Sequence, residues 1–123
     1  MVILSVGIGG FLGAIARYVL DGWIANATGG RFPWGTLAIN LSGSFVLGLL
    51  FAMSVERGIL PAGIRAPVLV GFIGAYTTFS TLTLETWRLA EDGSYALALA
   101  NLGGSAVLGI VAVVAGLTLG RAL

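Results

Sequence analysis

Polar side chains recur at helical intervals inside apolar stretches of this chain, and any chemistry it performs must rest on them. Thr36, Asn40 and Ser44 follow at intervals of four, which puts them on one face of a helix. Asn101 and Ser105 repeat that interval near the other end. A denser group runs Gly74-Ala75-Tyr76-Thr77-Thr78-Phe79-Ser80-Thr81-Leu82-Thr83-Leu84-Glu85-Thr86. Within it Thr78, Thr81 and Glu85 share a helical face, and Phe79 lies on the adjacent one. Hydroxyls and amides donate hydrogen bonds without carrying full charge, and an aromatic ring has a positive edge. Such a set makes weak stations that a small, strongly hydrogen-bonding anion can enter and leave. A cation route would want rings of carboxylates, and Glu85 alone sits well inside an apolar stretch. The donor chemistry by itself leaves the ion's identity open.

Other chemistries are closed off by the residue types that are missing. There is no His and no Cys, which removes the usual neutral-pH base, the commonest metal ligand and all thiol chemistry. All six basic residues are Arg, so no Lys is present for a Schiff base or a phosphate loop. Five acidic residues nearly cancel them, leaving a net charge of +1 and no basic face for nucleic acid. An enzyme is the least expected class.

The elements that must position these groups follow from composition. Of 123 residues, 58% are hydrophobic and only 9% charged, with a mean hydropathy of +1.04. A water-facing domain carries about a quarter charged residues, so this is an integral membrane protein. Four crossings of roughly 20 residues each fit the length. The predicted spans are 2–20, 34–55, 66–90 and 94–119, forming a single all-α four-helix transmembrane domain over 1–123. Asn26-Ala27-Thr28-Gly29-Gly30-Arg31 before Pro33, Glu56-Arg57-Gly58 with Pro61, and Glu91-Asp92-Gly93 separate them. Alternating ten-residue strands, the mark of a barrel, are absent. Ala14-Ile15-Ala16 fits a cleavage pattern, but no positive segment precedes it, so the first span is expected to be retained.

Gly9 and Gly13, Ser44 and Gly48, and Gly116 and Gly120 form pairs of small residues four apart that would let helices approach closely. Arg57, Arg65 and Arg121 fall on the N-terminal side of the membrane, and Arg17, Arg31 and Arg88 on the other. Three against three gives no orientation bias, so the chain is expected to insert both ways. Opposite copies would then pair about an axis in the membrane plane. Arg17 is expected to reach the interface along its own stem. The hydroxyl run after Gly74 makes a poor regular helix, and an interruption there would free carbonyl oxygens, the ligands that a hard cation such as sodium takes.

Two stretches carry a family resemblance. Trp34-Gly35-Thr36-Leu37-Ala38-Ile39-Asn40-Leu41 and Gly71-Phe72-Ile73-Gly74-Ala75-Tyr76-Thr77-Thr78-Phe79-Ser80-Thr81 resemble the signatures of the Fluc/CrcB fluoride channels. The early glycine pattern from Gly7 to Arg17, the length and the four spans agree, so the similarity covers nearly the whole chain. The resemblance implies a dual-topology antiparallel homodimer with two pathways, passively exporting fluoride across the prokaryotic cell membrane. It assigns the pore asparagine to Asn40 and the first of two pore phenylalanines to Phe79. A hydroxyl track maps to Ser80, Thr81 and Thr83, with a carboxylate at Glu85. It further implies a structural sodium ion at the dimer centre, not transported, on the backbone carbonyls of Gly74 and Thr77 from each copy.

The chain departs from that pattern where a second pore phenylalanine is expected, at Leu82, and where a serine-type residue is expected, at Gly109. Leucine has the bulk but no positive edge. Two other classes compete. A small multidrug-type proton-coupled transporter needs a carboxylate inside the first span, and none precedes Asp21. A structural membrane subunit without a pathway would account for the glycines but not for the aligned hydroxyls and amides.

Overall fold

The computed structural model describes residues 1–123, and every regular element in it is helical. Helix α1 spans Val2–Thr28 and runs through Asn26, Ala27 and Thr28, which the sequence assigns to a turn. Thr28 bonds back to the Ile24 carbonyl at 2.8 Å, so its hydroxyl needs no turn to be satisfied. The helix stops at Gly29, whose φ of 57° is open to glycine and whose N–H returns to Ala25. Helix α2, Trp34–Phe51, starts directly after Pro33 and widens into a π-helical turn at Ala52–Glu56.

The third long segment is built in pieces. A 3-10 turn at Ala62–Ile64 leads into a π-helical stretch, Arg65–Ile73, then a single turn of α3, Gly74–Tyr76. Pro67 lies in the π-helical stretch and brings no N–H, which favours a wider ladder over regular α bonding. Helix α4 covers Phe79–Glu91, and α5 covers Tyr95–Ala122 after a turn with Gly93 at φ 78°. Four helical segments are long and apolar enough to cross a membrane: Val2–Thr28, Trp34–Glu56, Ala62–Glu91 and Tyr95–Ala122.

Only 18 of the 123 residues are buried within the chain, and large apolar side chains such as Phe11, Trp23, Val70 and Ile110 face outward. That surface suits lipid, where helix association depends on packing rather than on exclusion of water. Backbone contact at glycine supplies the packing. A Cβ at Gly9 would collide with the Pro67 carbonyl and one at Gly13 with that of Phe72, which ties α1 to the third segment. A Cβ at Gly48 would strike the Val113 carbonyl and one at Gly116 the Phe45 carbonyl, which ties α2 to α5. The small-residue faces read from the sequence are therefore helix seams.

Polar bonds close the ends of the bundle. Arg121 meets Glu56 at 3.0 Å, Arg57 donates to the Gly120 carbonyl at 3.1 Å, and Arg65 holds both the hydroxyl and the carbonyl of buried Ser54. At the opposite end Arg31 donates to the Ser94 hydroxyl at 3.1 Å.

Candidate functional site: a donor-lined cavity beside two extended residues

Between α3 and α4 the backbone leaves the helix for two residues. Thr77 has ψ 158°, and Thr78 has φ −149° and ψ 122°. Gly74 itself is helical, at φ −61° and ψ −36°, so the departure begins three residues beyond the glycine singled out in the sequence. Side chains hold it there. Asn40 on α2 donates from Nδ2 to the Thr78 carbonyl at 3.0 Å, and its Oδ1 accepts the Thr78 N–H at 2.8 Å. Thr78 caps α4, its Oγ1 accepting the Thr81 N–H at 3.2 Å.

These bonds redirect donors from the carbonyls that a continuous helix would satisfy. The Thr78 N–H would have gone to Gly74, and the Thr81 N–H to Thr77. Arg17 donates Nε to the Ala75 carbonyl at 3.1 Å. Its guanidinium thus meets the C-terminal end of α3 instead of reaching to the interface, because the carbonyls at a helix end attract a cation.

A cavity of about 340 Å³ opens beside the two extended residues. Asn40, Ser44, Thr77, Thr78, Phe79, Leu82, Ser105 and Gly109 contribute to its wall, so α2, the 77–78 step, α4 and α5 all reach it. No charged side chain lines it. Phe79 is 76% exposed, its ring on the outside of the single chain, whereas Leu82 at the departure from the family pattern is buried. Ser105 is 7% exposed and its hydroxyl has no partner. Asn101, one turn away and fully buried, donates to Thr86, which in turn donates to the Leu82 carbonyl. Its Oδ1 is unpartnered.

The candidate hydroxyls are not equivalent. Thr83 donates to the Ser80 carbonyl at 2.9 Å, and Thr78 donates to Thr81 Oγ1 at 3.1 Å. Both protons are committed within the protein, and Ser80 Oγ lies 3.4 Å from Thr78 Oγ1, where Ser80 must be the donor, so Thr81 keeps the uncommitted hydroxyl hydrogen. Neither of those two lines the cavity, and Thr83 borders a separate apolar cleft with Trp87 and Leu102.

Glu85 lies elsewhere. It lines a second cavity of about 250 Å³ together with Asp21, Thr28, Arg31, Trp34 and Gly35, and it faces the Thr36 hydroxyl. The Asp21 carboxylate presses against the first turn of α2 and fits only because residue 35 has no Cβ. A carboxylate at that point opposes the positive end of α2 favourably. The sequence set is therefore split: Asn40, Phe79 and Leu82 line the neutral cavity, Glu85 the charged one and Thr83 an apolar cleft, while Ser80 and Thr81 line neither main cavity.

Two contributors escape a reading built on hydroxyls. Arg17 and Asp21 both lie within the first long apolar helix, and an ionisable residue inside such a helix is itself the signal that it has a partner.

The family profile described as "CrcB-like protein, Camphor Resistance (CrcB)" matches residues 4–117. A "Fluoride-specific ion channel FluC" of Magnetococcus marinus is similar, at 48% identity over 121 residues, covering 98% of each chain. The protein of the same name from Hahella chejuensis is 44% identical over 97% of this chain and 94% of its own. That from Solidesulfovibrio magneticus is 45% identical over 94% and 93%. A match spanning nearly all of a four-helix chain, with a neutral donor-lined cavity beside the 77–78 step, makes this multi-pass cell-membrane protein a member of the CrcB family.

Proposed function

We infer that this protein is a passive fluoride-selective channel that lets fluoride leave the cell and lowers its cytoplasmic level. The full-length similarity to proteins named fluoride-specific ion channels carries the reading. The uncharged wall of the 340 Å³ cavity supports it, because amide and hydroxyl groups bind an anion weakly enough to release it. The protein is not an enzyme. A proton-coupled exchanger is disfavoured because Asp21, the first carboxylate of α1, is packed against Gly35 beside the start of α2.

In the proposed pathway Phe79 offers its ring edge and Thr81 its hydroxyl proton, with Ser80 joining the track when its 3.4 Å contact to Thr78 gives way. Asn40 and Leu82 shape the wall, Thr83 borders the track, and Glu85 lies in the vestibule with Asp21. The route needs a second copy. Phe79 is too exposed to enclose anything within one chain, and the apolar outer surface near it suits a homodimer. Two copies inserted in opposite directions, meeting at the interrupted third segment, suit the near balance of flanking Arg, three on one side and two on the other once Arg17 is held at Ala75.

The residues fit a sodium ion at that meeting point. The Gly74 and Thr77 carbonyls lose their helical donors to Asn40 and Thr78, and unwound carbonyls of this kind are suitable sodium ligands. When bound, the ion would join the two copies and add positive potential near the anion routes.

Fluoride efflux from liposomes containing only this protein tests the reading, with chloride efflux as the comparison. Fast fluoride release with negligible chloride release is expected. Equal rates for both ions, or no release, would remove it.

A further inference from the structure

We propose that the end of the bundle carrying Arg57, Arg65 and Arg121 binds an anionic phospholipid. Its phosphate lies on the three guanidinium groups and an acyl chain lies in the apolar groove between α1 and the third segment. The site is separate from the fluoride route and does not depend on it.

The three arginines gather on one turn of the chain. Arg57 directly follows the π-helical turn Ala52–Glu56, and Arg121 meets Glu56 within that turn. Arg65 donates to the Ser54 hydroxyl at 3.0 Å and to the Ser54 carbonyl at 2.7 Å. Arg57 reaches across to the Gly120 carbonyl, next to Arg121 in the chain. Each guanidinium has five N–H groups. The protein engages one on Arg57, two on Arg65 and two on Arg121, so the whole Nη1 group of Arg65 and of Arg121 has no partner in the chain. Guanidinium forks match phosphate oxygens. The bonds already made hold these planar groups in place, so binding a phosphate costs little further side-chain entropy.

Charge is divided unevenly between the two ends of the bundle. At this end three Arg face one carboxylate, Glu56, an excess of two positive side-chain charges. In the opposite half Asp21, Glu85, Glu91 and Asp92 outnumber Arg31 and Arg88 by two. The helical segments Trp34–Glu56, Ala62–Glu91 and Tyr95–Ala122 begin or end at the cluster. That puts it at the level of the headgroups, where basic side chains meet anionic lipid.

An apolar groove of about 430 Å³ starts two residues beyond Arg65. Ile8 and Leu12 of α1 and Val68 and Phe72 of the third segment line it, and no charged residue does. Gly9 and Pro67, in backbone contact, form part of its wall. From Ser5 to Leu12 the groove runs roughly 10 Å along α1 toward the membrane centre, at about 1.5 Å per residue. A phospholipid uses both the cluster and the groove, whereas inorganic phosphate would use only the first.

Native mass spectrometry of the purified protein, titrated with phosphatidylglycerol and with phosphatidylcholine of the same acyl chains, tests this. Each basic residue at an anionic headgroup contributes roughly fivefold in affinity, so an excess of two charges predicts a roughly 25-fold preference for phosphatidylglycerol. Arg57→Gln is expected to cut that preference to roughly fivefold, and Arg57→Gln with Arg121→Gln to abolish it. Arg31→Gln with Arg88→Gln should leave it intact. Circular dichroism identifies the variants that keep their helices, and Arg57→Gln, which removes a single bond to a carbonyl, is the mildest of them. Inorganic phosphate and glycerophosphoglycerol, the same headgroup without acyl chains, should fail to displace the lipid.

Equal binding of the two lipids by the wild type, or a preference that the Arg57 and Arg121 changes leave intact, would overturn the proposal. Displacement by inorganic phosphate or by the bare headgroup would also overturn it, since the groove would then hold nothing. Lipid bound to the monomer and excluded from the dimer would give this end of the bundle to a second copy instead. Fluoride efflux is no part of the readout, so the result stands whether or not the channel reading does.

Discussion

Arg17 and Ala75 are 58 residues apart in sequence, yet the Arg17 Nε donates to the Ala75 carbonyl at 3.1 Å. The bond places a fixed positive charge at the C-terminal end of α3, one turn from the extended residues Thr77 and Thr78. It explains how an arginine can be tolerated within a long apolar helix.

Replacing Arg17 by Gln should therefore act on the interrupted segment and not on lipid anchoring. A charged group at a helix C-terminus contributes about 0.3–2 kcal/mol, so Arg17→Gln is expected to lower thermal stability in detergent by that amount and to slow fluoride efflux. Arg17→Lys should recover part of the stability, since a cation still meets the carbonyls. Equal stability for the wild type and Arg17→Gln would remove the capping role.

Glycine seams make a contrasting pair of predictions. A Cβ at Gly116 would run into the Phe45 carbonyl, whereas one at Gly103 meets nothing within 4 Å. Gly116→Ala should destabilise by about 1–3 kcal/mol, the usual cost of overpacking. Gly103→Ala should be neutral or stabilise by up to about 1 kcal/mol through helix propensity. Unfolding followed by tryptophan fluorescence would separate them. Matching midpoints would mean that the α2–α5 seam is not the close contact described.

Ser105 offers opposite signs for stability and transport. Its hydroxyl is buried and unpartnered at the edge of the 340 Å³ cavity. Removing an unsatisfied buried group relieves a cost of about 1–3 kcal/mol, so Ser105→Ala should be more stable than the wild type. If the hydroxyl serves the ion, the same variant should pass fluoride more slowly. Unaltered efflux would make Ser105 an ordinary packing residue.

Leu82 is buried and borders the same cavity. Leu82→Phe can direct its ring into that space and supply the positive edge that leucine lacks. Fluoride efflux should be kept or raised, measured in liposomes against the wild type. Complete loss would mean that the route is built around leucine.

Orientation can be read independently of transport. Reporter fusions at the C-terminus should give signal from both sides of the membrane, because the flanking Arg residues are nearly balanced. Arg57, Arg65 and Arg121 lie on one side and Arg31 and Arg88 on the other, with Arg17 held inside at Ala75. Signal from one side only would refute dual insertion and with it the antiparallel dimer.

Much of the architecture was legible because it follows from short-range pattern. Four apolar stretches, each ended by Gly, Pro or charge, leave few alternatives once lipid is the solvent, since unpaired backbone groups there are costly. The glycine pairs at Gly9–Gly13 and Gly116–Gly120 could be read as seams from spacing alone, and each turned out to meet a carbonyl of a neighbouring helix. Helix ends were less legible. Asn26 and Thr28 have turn-forming side chains, yet α1 includes them because Gly29, not they, supplies the left-handed terminator.

At the site the division is sharper. Residue type and interval were enough to single out Asn40, Thr78, Thr81 and Phe79, because donors on one helical face are visible in a linear pattern. Which donor is free is not visible there. Thr83 gives its proton to Ser80 and Thr78 gives its proton to Thr81 within α4 and its cap. Asn40 commits one of its two Nδ2 hydrogens to the Thr78 carbonyl, a pairing that exists only after α2 has packed against residues 76–78 through Gly43. The partners of Arg17 and Asp21, and the separation of Glu85 into its own charged cavity, likewise depend on contacts between residues far apart in the chain. Local periodicity determines which groups can face inward; only the tertiary packing decides which of them still has a proton to give.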